Sequence, residues 1–430
     1  MSVAGGYPKK QLWSLTIAWN SLAVGWGSGS TEFEYLVSPL EAIQKYAAAY
    51  GGVVSSLLVN NRTAEMKVDA AKQDICLAFV NADSGEGHIK WQDMAGDRNN
   101  LGTQLGGDEV VLAVAEACKK TVVVVHSVGP IIMEKWVSSP KVDAILWAHL
   151  PGQESGNSLV DVLSGAVNPS GKLPYTIGKK LEDYGPTAGV LYVENGTPPQ
   201  QDFSEGLYID YRYFDKNNIT PRFEFGFGLS YTTFEFSDLN LAHVGSMSPN
   251  PAPRPPPEAV PPNYHSTLPP PSEVLYPAGF KPINRMIYPY LTSTNITQGP
   301  YPYPEGYDKT QAPSPAGGAE GGNPSLWEPV YTVSHTLTNT GDVSGAEVSQ
   351  LYVSYAKDSV DFPVRVLRGF EKLFLEPGQS CTVTHTLTRR DLSFWNTQTG
   401  NWEVPDGGIS IAVGSSSRML HLQGELSYGY

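Results

Sequence analysis

A repeating pattern of strands and helices between residues 36 and 178 constrains the fold of this chain more than any other feature. Its clearest strand is the run TVVVVH at 121–126, which is apolar on both faces, as parallel strands covered by helices are. Further strands are predicted at residues 53–59, 75–80, 142–150 and 172–177. Helices are predicted after the capping box SPLE at 38–41 and at 63–72, 108–118, 131–137 and 155–163. This alternation predicts an α/β doubly wound sandwich with a mostly parallel sheet.

Residues 248–325 differ sharply in composition from the rest of the chain. They contain 20 of its 35 prolines, including PPP at 255–257 and the series YPYP at 301–304. Proline fixes φ and lacks a backbone N–H, so the segment is expected to be extended and partly polyproline II. It is interpreted as a long insertion or linker. The functional alternative is a tyrosine-bearing flap beside a binding cleft, or a docking site for proline-recognition domains.

The residues after this segment have the pattern of short strands separated by turns. The strands are predicted at 330–337, 347–355, 364–375, 382–387 and 408–413. Their spacing predicts an all-β sandwich of immunoglobulin or fibronectin type III kind. Residues 234–244 are expected to supply its first strand, which would make the proline-rich segment an insertion near the start of the sandwich.

Composition and charge exclude several classes of protein. The 430 residues carry a net charge of −14, which argues against a nucleic-acid partner. No apolar run approaches the roughly 18 residues of a membrane span. Cys76, Cys118 and Cys381 are too few and too far apart in sequence for a disulfide framework or a zinc site. They are interpreted as buried small hydrophobic residues, and neither a metal nor a cofactor is expected.

Sequence signals for export are weak within this chain. Glycosylation sequons begin at Asn61, Asn195, Asn218 and Asn295. They would suit a secreted protein, although roughly three would arise by chance at this composition. Residues 1–20 contain neither a sustained hydrophobic segment nor a small-residue cleavage site, so no signal peptide is expected there.

The loop NADSGEGH at 81–88 is the strongest candidate for chemistry. It follows the apolar run at 75–80, and residues that leave the carboxyl end of a strand face the ligand in open α/β sheets. Gly85 and Gly87 flank Glu86 and leave its carboxyl group free to project into a cleft. Glu86 is therefore a candidate general acid. The alternative is an ordinary acidic surface loop.

Nine short motifs follow one another along the chain: GWGSG at 25–29, NADSGEGH at 81–88, GDRNNL at 96–101, HSVGP at 126–130, LPGQESGN at 150–157, GKLP at 171–174, FSEGLYIDYR at 203–212, FGFGLSY at 225–231 and LRGFEK at 367–372. With these motifs in this order, the chain resembles the two carboxyl-terminal domains of fungal β-glucosidases of glycoside hydrolase family 3, from about residue 22 onward. The resemblance implies an α/β sandwich domain and a fibronectin type III-like domain, preceded in the family by a (β/α)8-like barrel.

This resemblance divides the chain into four parts. They are a divergent amino-terminal segment at 1–21, the α/β sandwich domain at 22–200, a connector at 201–235, and the fibronectin type III-like domain at 236–430 with its proline-rich insertion at 248–325.

The resemblance also implies retaining hydrolysis of terminal β-glucosyl residues, as in cellobiose. In retaining glycosidases one carboxylate attacks the anomeric carbon and a second, about 5 Å away, protonates the departing oxygen. The family's acid/base Glu lies in a Ser-Gly-Glu-Gly loop, which matches Glu86. Its nucleophilic Asp lies in a Ser-Asp-Trp segment of the barrel, and this sequence contains no such segment. The isolated chain is therefore expected to be inactive. The full-length protein is expected to carry a barrel, to be extracellular and to act on β-glucosides or cello-oligosaccharides.

Other residues near the loop are given supporting roles. His88, where fungal relatives usually carry an aromatic residue, is expected to contact the substrate. Asp97 and Arg98 are expected to form an ion pair that pins the loop. Glu154 is interpreted as a helix cap and Asp83 as a turn-forming side chain, and neither as a catalyst. Two explanations of the missing barrel stay open: a truncated version of the gene, which is favoured, and a barrel-less noncatalytic paralogue that binds carbohydrate or a protein partner.

Overall fold

The computed structural model describes most of the chain, with gaps, and gives only the backbone for residues 2–4, 90–91 and 94–95. The described residues are 2–4, 22–25, 31–85, 90–91, 94–95, 98–189, 196, 200, 202–254, 322–356 and 360–427.

An α/β unit forms the amino-terminal part of the molecule. Its strands are β1 (Ser2–Ala4), β2 (Ser55–Leu57), β3 (Cys76–Ala82), the short hairpin β4 (Lys90–Trp91) and β5 (Met94–Ala95), β6 (Thr121–Ser127) and β7 (Val142–Trp147). Its helices are α1 (Pro39–Ala49), α2 (Thr63–Ala70), α3 (Gly107–Ala117), α4 (Ser155–Ser164) and α5 (Tyr211–Lys216). Five of the strands form one parallel sheet in the order β2-β1-β3-β6-β7.

Alternate side chains of β3 bury themselves in two separate helical layers. Val80 lies in one cluster with Met66 of α2, while Phe79 lies in a second cluster with Ile43 of α1 and Leu159 of α4. Helices therefore cover both faces of the sheet, and the predicted doubly wound α/β architecture is confirmed.

Two predicted elements of this unit are wrong. Residues 131–137 form a turn and no helix, because the Ile132 N–H donates to the Leu101 carbonyl (2.7 Å) and Pro140 follows soon after. Residues 172–177 form no strand of the parallel sheet. Pro174 interrupts the segment, and only Ile177 makes a β-bridge, to Phe223 in the antiparallel direction.

The cysteines also depart from the sequence interpretation. Cys76 and Cys118 are buried as expected, but they form a disulfide with a Cα–Cα distance of 6.3 Å. Although 42 residues separate them in sequence, α3 runs back along the sheet and brings its end beside the start of β3. Only Cys381, among the three, is a free thiol.

The carboxyl-terminal part is a β-sandwich. Its strands are β8 (Phe234–His243), β9 (Pro329–Asn339), β10 (Gly345–Tyr355), β11 (Val366–Leu375), β12 (Ser380–Thr388), β13 (Phe394–Asn396), β14 (Asn401–Glu403), β15 (Ile409–Gly414) and β16 (Leu420–Leu426). One sheet has the order β11-β10-β15-β16 and the facing sheet β12-β9-β8, with antiparallel pairing throughout. Apolar side chains of both sheets, such as Leu337 and Leu351, share one core. The predicted all-β sandwich is confirmed.

The proline-rich segment leaves and re-enters the sandwich at one place. Strands β8 and β9, which flank it, are antiparallel neighbours, so the prediction that residues 234–244 supply the first strand is confirmed. The fully buried Asn323 donates from Nδ2 to the Ala252 carbonyl (2.8 Å) and joins the two stems. Arg389 donates to the carbonyl of Ser248 (2.7 Å) and fixes the first stem to the sandwich.

Buried polar contacts join the α/β unit to the sandwich. Lys172 Nζ lies 2.7 Å from Glu347 Oε1, and these side chains are only 12% and 9% exposed. Asp215 of α5 pairs with Arg418 (2.9 Å) and Arg365 (3.3 Å) of the sandwich. No described helix is long and apolar enough to cross a bilayer.

Candidate functional site

The carboxyl ends of β3, β6 and β7 meet at one edge of the parallel sheet. The Val128 N–H donates to the Ala82 carbonyl (3.1 Å), and the Ala148 N–H donates to the Val125 carbonyl (2.8 Å). The segments that follow these strands therefore leave side by side, as ligand-facing loops do in open α/β sheets. The segment after β3 begins with Asp83 and leads toward Glu86.

The side chain of Gln104 holds the start of this loop. Its Oε1 accepts a hydrogen bond from the Asp83 N–H (3.0 Å), and its Nε2 donates to the Asp83 carbonyl (3.1 Å). The backbone N–H of Gln104 donates to the Asn81 carbonyl (2.9 Å). Both backbone groups of residue 83 are thus fixed, three residues before Glu86. We call this pair of bonds the Gln104 clamp.

The Gln104 clamp is anchored to the beginning of α3. Thr103 accepts a bond from the Asp108 N–H (2.9 Å) and donates from its hydroxyl to the Asp108 carboxylate (3.0 Å). The same carboxylate oxygen accepts a bond from the fully buried Trp136 Nε1 (2.9 Å). A charged group buried with several donors is held firmly, so the clamp rests on a rigid base.

Arg98 ties the chain beyond the loop to the end of β6. Its Nη2 donates to the Pro130 carbonyl (3.0 Å). Burial lowers the pKa of Arg98, and the nearby Asp83 and Tyr175 oppose that shift. The supporting role expected for Arg98 is consistent with this position. Its expected partner Asp97 lies outside the described residues.

A polar aromatic group lies at the end of β7. Trp147 Nε1 donates to the Tyr175 hydroxyl (2.7 Å), which lies 3.3 Å from His149 Nδ1. Burial raises the pKa of Tyr175 to about 12 and lowers the pKa of His149. Tyr175 is therefore protonated and His149 neutral at pH 7, so the Tyr175 O–H can donate to His149. His149 has a φ of 50°, a conformation that few residues with side chains adopt.

The sequence analysis identified neither the Gln104 clamp nor the polar aromatic group at the end of β7. His149 lies at the carboxyl end of the strand predicted at 142–150, and that place could have indicated a role at the edge of the sheet. Gln104 lies in a segment without a distinctive pattern, and Tyr175 lies in a segment predicted as a strand of the sheet. Only the folded chain shows that both side chains reach the edge.

The remaining sequence candidates have mixed outcomes. Glu86 and His88 lie outside the described residues, so their roles stay predictions. Glu154 occupies the N-cap position of α4, in line with its interpretation as a helix cap, although its side chain makes no hydrogen bond to the helix backbone. Its carboxylate accepts bonds from the Tyr35 hydroxyl and from Asn157 Nδ2 (2.6 Å), and these bonds lower its pKa.

The structure describes two of the four sequons. Asn61 and Asn218 are exposed in turns, whereas Asn195 and Asn295 lie outside the described residues. Within the described part of the chain, no group of three or more His, Cys, Asp or Glu side chains could hold a metal ion.

Comparison with known protein families gives two matches. Residues 2–231 match the Glycosyl hydrolase family 3 C-terminal domain, and residues 347–417 match a Fibronectin type III-like domain. The first match begins before residue 22, from which the sequence resemblance was expected.

Individual relatives agree with these matches. Probable beta-glucosidase E of Aspergillus fumigatus is 53% identical over 412 residues, which cover 94% of this chain and 39% of the relative. The solved structure of a Chaetomium thermophilum beta-glucosidase has a TM-score of 0.81 and 40% identity, over 99% of this chain and 53% of that one. The beta-D-glucoside glucohydrolase of Trichoderma reesei has a TM-score of 0.74 and 39% identity, over 94% of this chain and 47% of that one. The chain thus spans about 40–50% of the length of these relatives.

Proposed function

Because the chain belongs to glycosyl hydrolase family 3, we propose that it is the acid/base-bearing part of a retaining β-glucosidase, with Glu86 as the acid/base. The observation that carries the proposal is the Gln104 clamp. It fixes Asp83 at the carboxyl edge of the sheet, three residues before a glycine-flanked Glu. The 53% identical relative named a probable beta-glucosidase supports the same activity.

In this proposal Glu86 works together with a carboxylate from outside the 430 residues. That second carboxylate, held about 5 Å away, attacks the anomeric carbon while Glu86 protonates the departing oxygen. Glu86 then removes a proton from the water that hydrolyses the glycosyl intermediate. The substrates are β-glucosides and cello-oligosaccharides. His88 contacts the sugar bound beside the loop, and Arg98 with Asp97 supports the loop from the side of β6.

The setting that we propose is extracellular, with a barrel domain in the full-length protein. The Cys76–Cys118 disulfide supports it, since disulfides persist in oxidising compartments. The exposed Asn61 and Asn218 can accept glycans, and Asn195 and Asn295 are proposed as further acceptors.

The test is Glu86→Gln in the full-length protein, assayed with two aryl β-glucosides whose leaving groups differ in basicity. Loss of the acid should slow release of the basic leaving group about 10²–10⁴-fold. It should affect far less the first step with an acidic leaving group, which needs no protonation. Added azide, an anion that needs no general base, should restore turnover of the activated substrate as the glycosyl azide.

Glu154→Gln is the matched control, because Glu154 is also a carboxylate near the edge but bonds to Tyr35 and Asn157. Equal losses for the two leaving groups in Glu86→Gln, or no azide rescue, would remove Glu86 from the acid/base role.

The second candidate is a noncatalytic protein that binds carbohydrate or a protein partner. It is favoured by the absence of a Ser-Asp-Trp segment from these 430 residues. The purified chain should not hydrolyse a chromogenic β-glucoside under either proposal. The two separate when a barrel is supplied, because only the first then gives turnover that depends on Glu86.

A further inference from the structure

Two tryptophans and an arginine share one face of the β13–β14 hairpin. Trp395 and Trp402 are direct cross-strand partners with ring centroids 5.4 Å apart in an edge-to-face arrangement. The guanidinium carbon of Arg390 lies 3.5 Å from the centroid of the Trp402 ring. The Trp395 side of the pair is open, since this residue is 43% exposed. The hairpin therefore presents an aromatic surface beside a cation.

A second guanidinium lies close to the first. Arg368 faces the ring of Phe362 at 6.0 Å and lies beside Tyr355. Burial lowers the pKa of Arg390, and the charge of Arg368 acts in the same direction. The local positive charge of Arg368 and Arg390 contrasts with the net charge of −14 of the whole chain.

Few carboxylates balance this charge. Asp391 is the acidic neighbour of Arg390, but its Oδ2 already accepts bonds from the N–H (2.9 Å) and hydroxyl (2.7 Å) of Thr388. Neither Arg368 nor Arg390 forms a salt bridge within the part of the chain that the structure describes. Two partly buried like charges without ion pairs repel each other, and an anion bound between them would relieve this repulsion.

We propose that Arg368, Arg390 and Trp395 form a binding site for a uronate sugar, outside the family's catalytic edge. We call it the Arg–Trp site. A guanidinium binds a carboxylate with two parallel hydrogen bonds, and Arg390 is held in place by its stacking on Trp402. The apolar face of a pyranose ring can pack on the open ring of Trp395. The combination selects a sugar that carries a carboxylate over a neutral sugar and over a simple anion.

The test is titration calorimetry of the purified chain with three probes: a glucuronic-acid-containing disaccharide, cellobiose and inorganic phosphate. No hydrolytic activity is needed, so the result is independent of the proposed function. We expect the acidic disaccharide to bind at least about tenfold more tightly than either other probe. Trp395→Ala and Arg390→Gln should each raise its Kd about tenfold or more.

Arg390→Lys keeps the positive charge but removes the paired N–H donors of the guanidinium. It should therefore recover only part of the affinity that Arg390→Gln loses. Arg62→Gln is the matched control, because Arg62 is an exposed arginine of the α/β unit paired with Glu65, and it should leave the Kd unchanged. If Arg390→Gln unfolds the sandwich, Trp395→Ala still decides, since this side chain is largely open to solvent. No saturable binding of the disaccharide, or equal affinity for cellobiose, would overturn the proposal. Competition by phosphate at equal affinity would reduce the site to an anion site and would overturn the sugar assignment.

Discussion

Protonation of His335 should destabilise the β-sandwich between pH 7 and pH 5. This residue lies on the inner face of β9 and is 1% exposed. Its Nε2 lies 3.1 Å from the Ser349 hydroxyl. Its ring stacks on those of Phe236 and His385, with distances of 5.7 Å and 6.1 Å between ring centroids. Burial lowers the pKa of His335 to about 4, and the charge of His385 acts in the same direction. The folded state therefore resists protonation at this position.

The sign and size of the effect follow from linkage. The unfolded chain binds this proton near pH 6.5, whereas the folded chain binds it only near pH 4. Stability is therefore full above pH 6.5, falls as the pH drops toward 4, and stays low below that value. At about 1.4 kcal/mol for each pH unit, the total loss is about 3 kcal/mol, of which about 2 kcal/mol appears between pH 7 and pH 5.

The stability of the sandwich alone can be measured as the free energy of opening that exposes the β9 amides to hydrogen exchange, after correction for the intrinsic pH dependence of exchange. The perturbation is His335→Gln, which does not titrate and can still bond to Ser349. The wild-type opening free energy should fall by about 2 kcal/mol more than that of the variant between pH 7 and pH 5. His243→Gln, at an exposed position on β8, should respond like the wild type. Equal pH responses of wild type and His335→Gln would refute the reasoning.

Three further predictions concern the framework. Replacing both half-cystines (Cys76→Ser with Cys118→Ser) should lower the free energy of unfolding of the α/β unit by about 2–4 kcal/mol, because the bond closes a loop of 42 residues; an unchanged urea midpoint would contradict this. Glu347→Gln should cost about 3–5 kcal/mol in urea unfolding because it leaves Lys172 buried without its partner, and the double change Lys172→Met with Glu347→Leu should cost less. Replacing residues 255–321 with a short Gly-Ser linker should leave the unfolding temperature of the sandwich unchanged, because Asn323 and Arg389 already hold the two stems; a fall of several degrees would show that the segment contributes to the core.

The sequence predicted the architecture because its strongest signals are local. The apolar run at 121–126 is buried on both faces, and the capping box at 38–41 forms with bonds in both directions between Ser38 and Glu41. Period and capping depend on neighbours in sequence, so they can be recognised without the fold. The failure at residues 131–137 has the opposite cause, since a tertiary bond from Ile132 to Leu101 competes with the helix there.

The parts of the site that the sequence could not predict depend on contacts between residues that lie far apart in the chain. Gln104 reaches Asp83 across 21 residues, and Tyr175 reaches Trp147 across 28. The same reason explains the disulfide, because sequence spacing alone does not show that α3 ends beside the start of β3. Glu86, whose role stays a prediction, could be proposed from sequence alone because it lies shortly after a predicted strand, between two glycines.

The Gln104 clamp limits where a partner carboxylate can lie. Three residues beyond Asp83 span at most roughly 10 Å, so the Glu86 carboxylate lies within roughly 15 Å of the clamp. In the retaining mechanism that we propose, the nucleophile would lie about 5 Å further. The opposite edge of the sheet lies at Cys76, where β3 begins. The seven residues of β3 place that edge ~23 Å from the Gln104 clamp. A barrel docked at that edge could not supply the nucleophile. Any domain that restores turnover must therefore cover the carboxyl edge and slow hydrogen exchange in residues 83–85 and 128–129.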